Sequence, residues 1–119
     1  MTNQPRVVIV EDDALIALFL KGTCEQFGSL VVGTAADGES ALRILREEKP
    51  SHVLMDMRLN GSMDGVDIGK AISPEQPDLK VIYVTGSNEP ATLERISQNH
   101  PYRVLIKPVT PDQLKEALS

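Results

Sequence analysis

The residues best suited to chemistry stand at the ends of short apolar runs. Three consecutive acids follow the first run, and a single acid, Asp56, follows the third. The hydroxyl of Thr85 and the ammonium of Lys107 close two later runs. Carboxylates about 4 Å apart repel by about 4 kcal/mol at an effective dielectric constant of about 20, so such a cluster recruits a divalent cation or shifts a pKa.

These residue types together suit a phosphoryl group. Magnesium, which prefers oxygen ligands and keeps several waters, fits the acids best. Thr85 and Lys107 would direct two donors at one anion. Phosphoryl transfer is catalysed chiefly by positioning and charge neutralisation, and a carboxylate can serve as the nucleophile to form an aspartyl phosphate. Asp56 is therefore the candidate nucleophile.

Five apolar runs are predicted to be buried strands, because continuous Val, Ile and Leu suit a parallel sheet covered on both faces. The runs are Arg6–Val10, Leu30–Ala35, His52–Met55, Lys80–Val84 and Arg103–Ile106. The intervening segments have helical spacing. In the first of them Leu15, Leu18, Phe19 and Gly22 fall on one face, and Gly28 follows where a left-handed C-cap belongs.

Helix-start signals agree with these elements. Asp13 is predicted to be an N-cap rather than a metal ligand. The other signals are Asp37 before Gly38, Asp64 before Gly65, and the capping box Thr110-Pro111-Asp112-Gln113. Five strands alternating with five helices predict an α/β, flavodoxin-like, doubly wound parallel sheet of order 2-1-3-4-5. In that order the ends of strands one and three are neighbours, so their acids meet in one pocket.

Length and composition exclude several classes of protein. The 119 residues predict one domain, spanning 1–119. A net charge of -5 opposes direct nucleic-acid binding. The single cysteine, Cys24, excludes an internal disulfide. No apolar stretch reaches the roughly 20 residues of a membrane span, and Met1–Pro5 lacks the apolar centre of a signal peptide, so a cytoplasmic location is expected.

Four motifs in order resemble the receiver domain of two-component response regulators. They are Val10-Glu11-Asp12-Asp13, Leu54-Met55-Asp56-Met57-Arg58 with Met63-Asp64-Gly65, Val84-Thr85-Gly86-Ser87, and Ile106-Lys107-Pro108. The resemblance extends from Val7 to Leu118. It implies that Asp56 accepts a phosphoryl group from a sensor histidine kinase or a histidine phosphotransfer protein.

The resemblance also implies a role for each neighbour of Asp56. Mg²⁺ would be held by Glu11, by Asp12 directly, by Asp56 and by the backbone carbonyl of Arg58. Thr85 and Lys107 would bind the phosphoryl oxygens, and the Lys107-Pro108 peptide bond would be cis. The surface of helix four, strand five and helix five would pass the signal to a downstream protein or to an output domain outside this chain. The sequence leaves open whether the chain forms a homodimer on phosphorylation.

The sequence departs from the family pattern at two places that affect signalling. Many receivers carry Tyr or Phe three residues before the lysine, where this chain has Val104. The pair Thr85-Gly86 is similar to a receiver subgroup that lacks this switch aromatic. Asn60-Gly61-Ser62 replaces the usual proline and adds one residue before Gly65.

Two other functions compete with the phosphoacceptor switch. A constitutive interaction module would keep the fold without the chemistry, but the complete acid, threonine and lysine set argues against it. A magnesium-dependent phosphohydrolase usually carries a second acid two residues after the nucleophile, where this chain has Arg58. No turnover of a separate substrate is expected, and the cognate kinase and the output stay open.

Overall fold

A computed structural model describes residues 4–86 and 88–119. Met1 to Asn3, part of the segment considered for a signal peptide, and Ser87 of the third motif lie outside the described residues. The strands are β1 (Arg6–Val10), β2 (Leu30–Ala35), β3 (His52–Asp56), β4 (Lys80–Thr85) and β5 (Arg103–Ile106). The helices are α1 (Ala14–Gln26), α2 (Gly38–Glu48), α3 (Gly65–Ile72), α4 (Pro90–Ser97) and α5 (Pro111–Ala117).

The five strands form one parallel sheet of order β2-β1-β3-β4-β5. The predicted fold class is therefore confirmed. From β1 the chain crosses to β2 on one side and then to β3 on the other, which makes the carboxyl ends of β1 and β3 the topological switch point. Both β3 and β4 run one residue further than predicted, so that Asp56 and Thr85 are the last residues of their strands.

Burial across the sheet is uneven, and the prediction of five buried strands is wrong at the edges. Every residue of β3 is buried, whereas Arg103, Val104 and Ile106 of β5 are exposed. At the opposite edge Leu30 of β2 is also exposed. An edge strand has a sheet neighbour on one side only, so a Val/Ile/Leu run does not by itself indicate burial.

The apolar face noted on α1 exists, but it faces the solvent. Leu15, Leu18 and Phe19 are 79%, 66% and 47% exposed. The opposite face, with Leu20 and Cys24, packs against the sheet and α5. Helix α1 carries apolar residues on both faces, so periodicity alone does not decide which face becomes buried.

The predicted helix ends are confirmed. Asp13 Oδ1 accepts from the backbone N–H groups of Leu15 and Ile16 at 2.9 and 3.2 Å. Asp37, Asp64 and Thr110 cap α2, α3 and α5 in the same manner. At the end of α1, Gly28 has a φ of +88° and Ser29 N–H donates to Cys24 O at 3.0 Å, as in a Schellman motif.

None of the helices in residues 4–86 and 88–119 has the length and apolar character that crossing a bilayer requires.

Candidate functional site

The predicted chemical residues meet in one cavity at the carboxyl edge of the sheet. The cavity has a volume of about 990 Å³ and opens between the loops that follow β1, β3, β4 and β5. It is lined by Glu11, Asp12, Asp56, Arg58, Thr85 and Lys107, which are all the predicted site residues. The structure thus brings the whole set together at the switch point of the sheet, where ligands of open α/β folds bind.

Lys107 is the cation at the centre of this cluster. Its Nζ lies 3.0 Å from Glu11 Oε1 and 3.3 Å from Asp56 Oδ1. Burial alone would lower the pKa of Lys107, but the hydrogen bonds and charges of Glu11 and Asp56 outweigh it and raise that pKa. The ammonium therefore stays charged and holds the two carboxylates on either side of it.

Glu11 is fixed in place from two directions. Its backbone N–H donates to Ala35 O at 2.9 Å, which continues the pairing of β1 with β2. Its Oε2 accepts from Asp13 N–H at 3.2 Å. Burial and the nearby Asp56 raise the pKa of Glu11 against the opposing effects of Asp13 and Lys107. The site around Glu11 thus disfavours further negative charge.

The acids of this cluster fit a divalent cation. Carboxylate oxygens of Glu11, Asp12 and Asp56 lie within 4.8 Å of one another. Glu11 and Asp56 are buried while Asp12 is exposed, so the cluster opens toward water on the Asp12 side. Magnesium binds through a few carboxylates and retains several waters, which matches this half-open arrangement. Arg58 lies at the exposed rim of the cavity, and a ligand role for its carbonyl remains a prediction.

Thr85 and Lys107 are positioned by the end of the β4–β5 pair. Lys107 N–H donates to Thr85 O at 2.8 Å, directly after the register pair Thr85 and Ile106. Thr85 is 2% exposed. The Lys107-Pro108 bond is cis, as the family resemblance implied. The two predicted phosphoryl ligands are therefore linked through their backbones.

Sequence reasoning missed one cation of the cavity wall, Arg95 of α4. Arg95 Nη1 pairs with Asp64 Oδ2, and Arg95 Nη2 lies 3.1 Å from Asp67 Oδ1. Asp64 and Asp67 also complete a reciprocal capping box at the start of α3. Burial would raise the pKa of Asp64, but its bonds to Arg95 and to Asp67 N–H lower it. The Asp-x-x-Asp spacing was a readable capping signal, whereas nothing local in the sequence marks Arg95.

The start of α3 lies directly against the backbone of Asp56. A Cβ atom placed on Gly65 would come 2.3 Å from Asp56 O and 2.9 Å from Met55 Cγ. Gly65 N–H donates to Met57 O at 3.1 Å. Only glycine permits this close approach, so the α3 N-terminus and the strand end that carries Asp56 are packed as one unit.

Comparison with known proteins identifies the family of the chain. Residues 7–119 match the family model of the response regulator receiver domain. The chain is 31% identical to the chemotaxis protein CheY of Thermotoga maritima, over 96% of this chain and 94% of that protein. It is also 31% identical to a probable C4-dicarboxylate response regulator, DctR, of Halalkalibacterium halodurans, over 100% of this chain and 53% of the relative. The chain thus spans about half the length of that relative.

A solved receiver-domain structure has the same fold. The signal receiver domain of the putative response regulator NarL from Mycobacterium tuberculosis superposes with a TM-score of 0.89 at 28% identity, covering 98% of this chain and 94% of that one.

Proposed function

Because the chain belongs to the response regulator receiver domain family, we propose that residues 1–119 form one receiver domain, a phosphoacceptor switch whose acceptor is Asp56. The observation that carries the assignment to Asp56 is its placement. It is the buried terminal acid of β3, at the switch point of the sheet, and the Lys107 ammonium lies 3.3 Å from its Oδ1. Phosphoryl transfer depends on positioning and charge neutralisation, and the cavity supplies both.

The transfer step uses the Asp56 carboxylate as the nucleophile. An Asp56 oxygen forms a bond to phosphorus while the P–N bond of a phosphohistidine breaks, and the released imidazole takes a proton from solvent. Lys107 neutralises charge on the phosphoryl oxygens, and the Thr85 hydroxyl donates to one of them. Hydrolysis later breaks the acyl phosphate and returns the carboxylate, so the site cycles between two states without a separate substrate.

Magnesium is the cation that this site is proposed to hold. Glu11, Asp12 and Asp56 would bind it, together with the backbone carbonyl of Arg58. When bound, it supplies positive charge that screens the phosphoryl oxygens from the carboxylates. In this proposal Glu11 is the buried ligand and Asp12 is the ligand on the solvent side, where water completes the coordination.

The partners follow from the family. A sensor histidine kinase or a histidine phosphotransfer protein donates the phosphoryl group. A downstream protein, or an output domain outside residues 1–119, receives the signal. The surface of α4, β5 and α5 is the proposed readout surface, because Val104 and Ile106 of β5 are exposed there. The same surface would form the contact in a homodimer of the modified protein.

Intact-mass analysis tests the chemistry directly. The protein is incubated with Mg²⁺ and acetyl phosphate, and the mass is compared with that of Asp56→Ala and of an EDTA-treated sample. We expect one phosphate adduct, absent from the variant and the EDTA control. An adduct that persists in Asp56→Ala would move the acceptor to another residue.

The same samples separate the two competing functions. Continued release of phosphate from a simple phosphate ester, well beyond one equivalent, would favour the phosphohydrolase. Absence of both an adduct and Mg²⁺ binding would favour a constitutive interaction module.

A further inference from the structure

Helix α4 is weakly anchored compared with its neighbour α3. Ile96 is the one buried residue that α4 contributes, whereas α3 contributes five. A helix that buries few residues has a low free energy of local opening. An ion pair to a neighbouring element therefore matters more for the position of α4 than it would for α3.

Helix α4 makes a two-point ion pair to the start of α3. Arg95 uses Nη1 for Asp64 Oδ2 and Nη2 for Asp67 Oδ1, the latter at 3.1 Å. Its planar guanidinium can hold two separate carboxylates at once, which fixes direction as well as distance. Both acids belong to the same capping box, so the ion pair links the position of α4 to that of the α3 N-terminus.

That N-terminus is packed on the phosphoacceptor. Gly65, which follows Asp64, lies so close to Asp56 O that a Cβ atom would come within 2.3 Å of it. Asp64 and Arg95 also line the same cavity as Asp56. A charge added at Asp56 therefore acts on Asp64 and Arg95 both through space and through a packed backbone contact.

The residue at the switch position of β5 offers no comparable link. Val104 is 37% exposed on an edge strand, and it has neither a ring nor a polar group. A route from the phosphoryl group to α4 that runs through an aromatic side chain at this position is absent.

We propose that Arg95 is the positioning residue that couples the state of Asp56 to α4. This inference rests on the proposed function, because Asp56 must be modified for the coupling to act. In the unmodified protein, Arg95 holds α4 to Asp64 and Asp67. The adduct brings up to about two negative charges into the cavity, which repel Asp64 and attract the guanidinium. Both effects weaken the ion pair and release α4.

Hydrogen exchange of the α4 amides tests the coupling. Peptides covering residues 89–99 are compared before and after treatment with acetyl phosphate and Mg²⁺, and the extent of modification is read by mass on each sample. In the unmodified protein, Arg95→Gln is expected to exchange about fivefold faster there than wild type, because partly exposed ion pairs contribute modestly and two are lost. Modification should accelerate this exchange in wild type and change it little in Arg95→Gln.

A matched control exists in Arg46 of α2. Arg46 also makes a two-point pair, through Nε and Nη2 to Glu75 at 3.0 and 2.8 Å, but neither residue lines the cavity. Arg46→Gln should leave α4 exchange and its response to modification as in wild type. Asp67→Asn keeps an oxygen for the capping box and removes one charge of the pair. If Arg95→Gln does not fold, Asp67→Asn takes its place in the test, and a partial acceleration of α4 exchange is expected.

The outcomes separate this inference from the proposed function. Two results would overturn the role of Arg95 while leaving the phosphoacceptor intact. In the first, the α4 amides of unmodified Arg95→Gln exchange at the wild-type rate. In the second, that variant responds to modification at Asp56 as fully as wild type does. Absence of an adduct in wild type would overturn the proposed function and the coupling with it. In that case the exchange of the unmodified variants still decides whether Arg95 tethers α4.

Discussion

Charged side chains are paired differently at the two ends of the central strands. At the amino end, Arg6 donates to Glu48 O at 2.8 Å and pairs with Glu48 Oε1 at 3.1 Å. At the carboxyl end, the Lys107 ammonium is shared by Glu11 and Asp56, and Asp12 adds further negative charge. Arg6 is thus paired with a single acid, whereas three acids surround Lys107 and leave an excess of negative charge at the carboxyl end.

This difference separates a structural edge from a reactive one. The sheet contributes the same backbone at both ends, so the contrast comes from the side chains that the loops bring in. An excess of acids lowers stability when no cation is bound and creates affinity for a cation or a proton. The carboxyl end is thereby less stable without a cation, but it can bind one.

Replacing Lys107 should produce the largest effect at the reactive end. In Lys107→Ala the initial rate of Asp56 labelling by acetyl phosphate is expected to fall about 100-fold, the size of effect seen when one preorganised charge-stabilising donor is lost. Intact-mass time courses measure this rate. Lys115→Ala is the control, because Lys115 lies 5.7 Å from the Phe27 ring and does not line the cavity. Equal rates for the two variants would remove Lys107 from the reaction.

A buried histidine makes the amino end sensitive to pH. His52 is 5% exposed, its Nδ1 lies 2.8 Å from Ser51 Oγ, and its ring forms a T-shaped pair with Tyr102, with the ring centroids 6.1 Å apart. Burial and the charge of Lys80 lower the pKa of His52. Below about pH 6.5 His52 is therefore protonated in the unfolded chain while it stays neutral in the folded chain. The free energy of unfolding should fall as the pH drops, by at most about 1.4 kcal/mol per pH unit.

Urea unfolding between pH 7.5 and pH 5 measures this slope. His52→Gln should flatten it relative to wild type, while His100→Gln, at an exposed position, should leave it unchanged. A slope that survives in His52→Gln would place the pH sensitivity elsewhere.

Neutralising one glutamate at each end should change stability in opposite directions. In EDTA at pH 7, Glu11→Gln is expected to raise the free energy of unfolding by about 1 kcal/mol, because it removes one of several crowded like charges. Glu48→Gln should lower it by about 0.5 kcal/mol, since it loses a partly exposed ion pair. Urea titrations of both variants test the comparison. A loss of stability in Glu11→Gln would mean that Lys107 already compensates the acidic cluster.

Much of the fold was predictable from the sequence because its signals are local. The apolar runs predicted all five strands to within one residue at either end. Short polar residues before the helices predicted the caps, as at Asp13 and Thr110. Burial was less predictable, since it depends on which elements cover a face. The exposed Leu15 of α1 and the exposed Ile106 of β5 show that apolar character alone does not decide burial.

The candidate site was predictable for a different reason. Its residues occupy strand ends, and the parallel topology carries those ends to one edge, so Asp56, Thr85 and Lys107 come together even though they are distant in sequence. Arg95 escaped prediction because its partners, Asp64 and Asp67, lie about 30 residues earlier on another helix. No spacing rule connects two helices that meet only in three dimensions.

The sequence by itself determined the strands, the helix ends and the identity of the chemical groups, because each follows from the residue types within a few positions. Only the tertiary structure decided which charges are shared and which are paired one to one. It placed Lys107 between two carboxylates, bound Arg95 to the start of α3 and turned one face of α1 to the solvent. These outcomes depend on distances between separate elements, and burial and Coulomb energies are set by such distances.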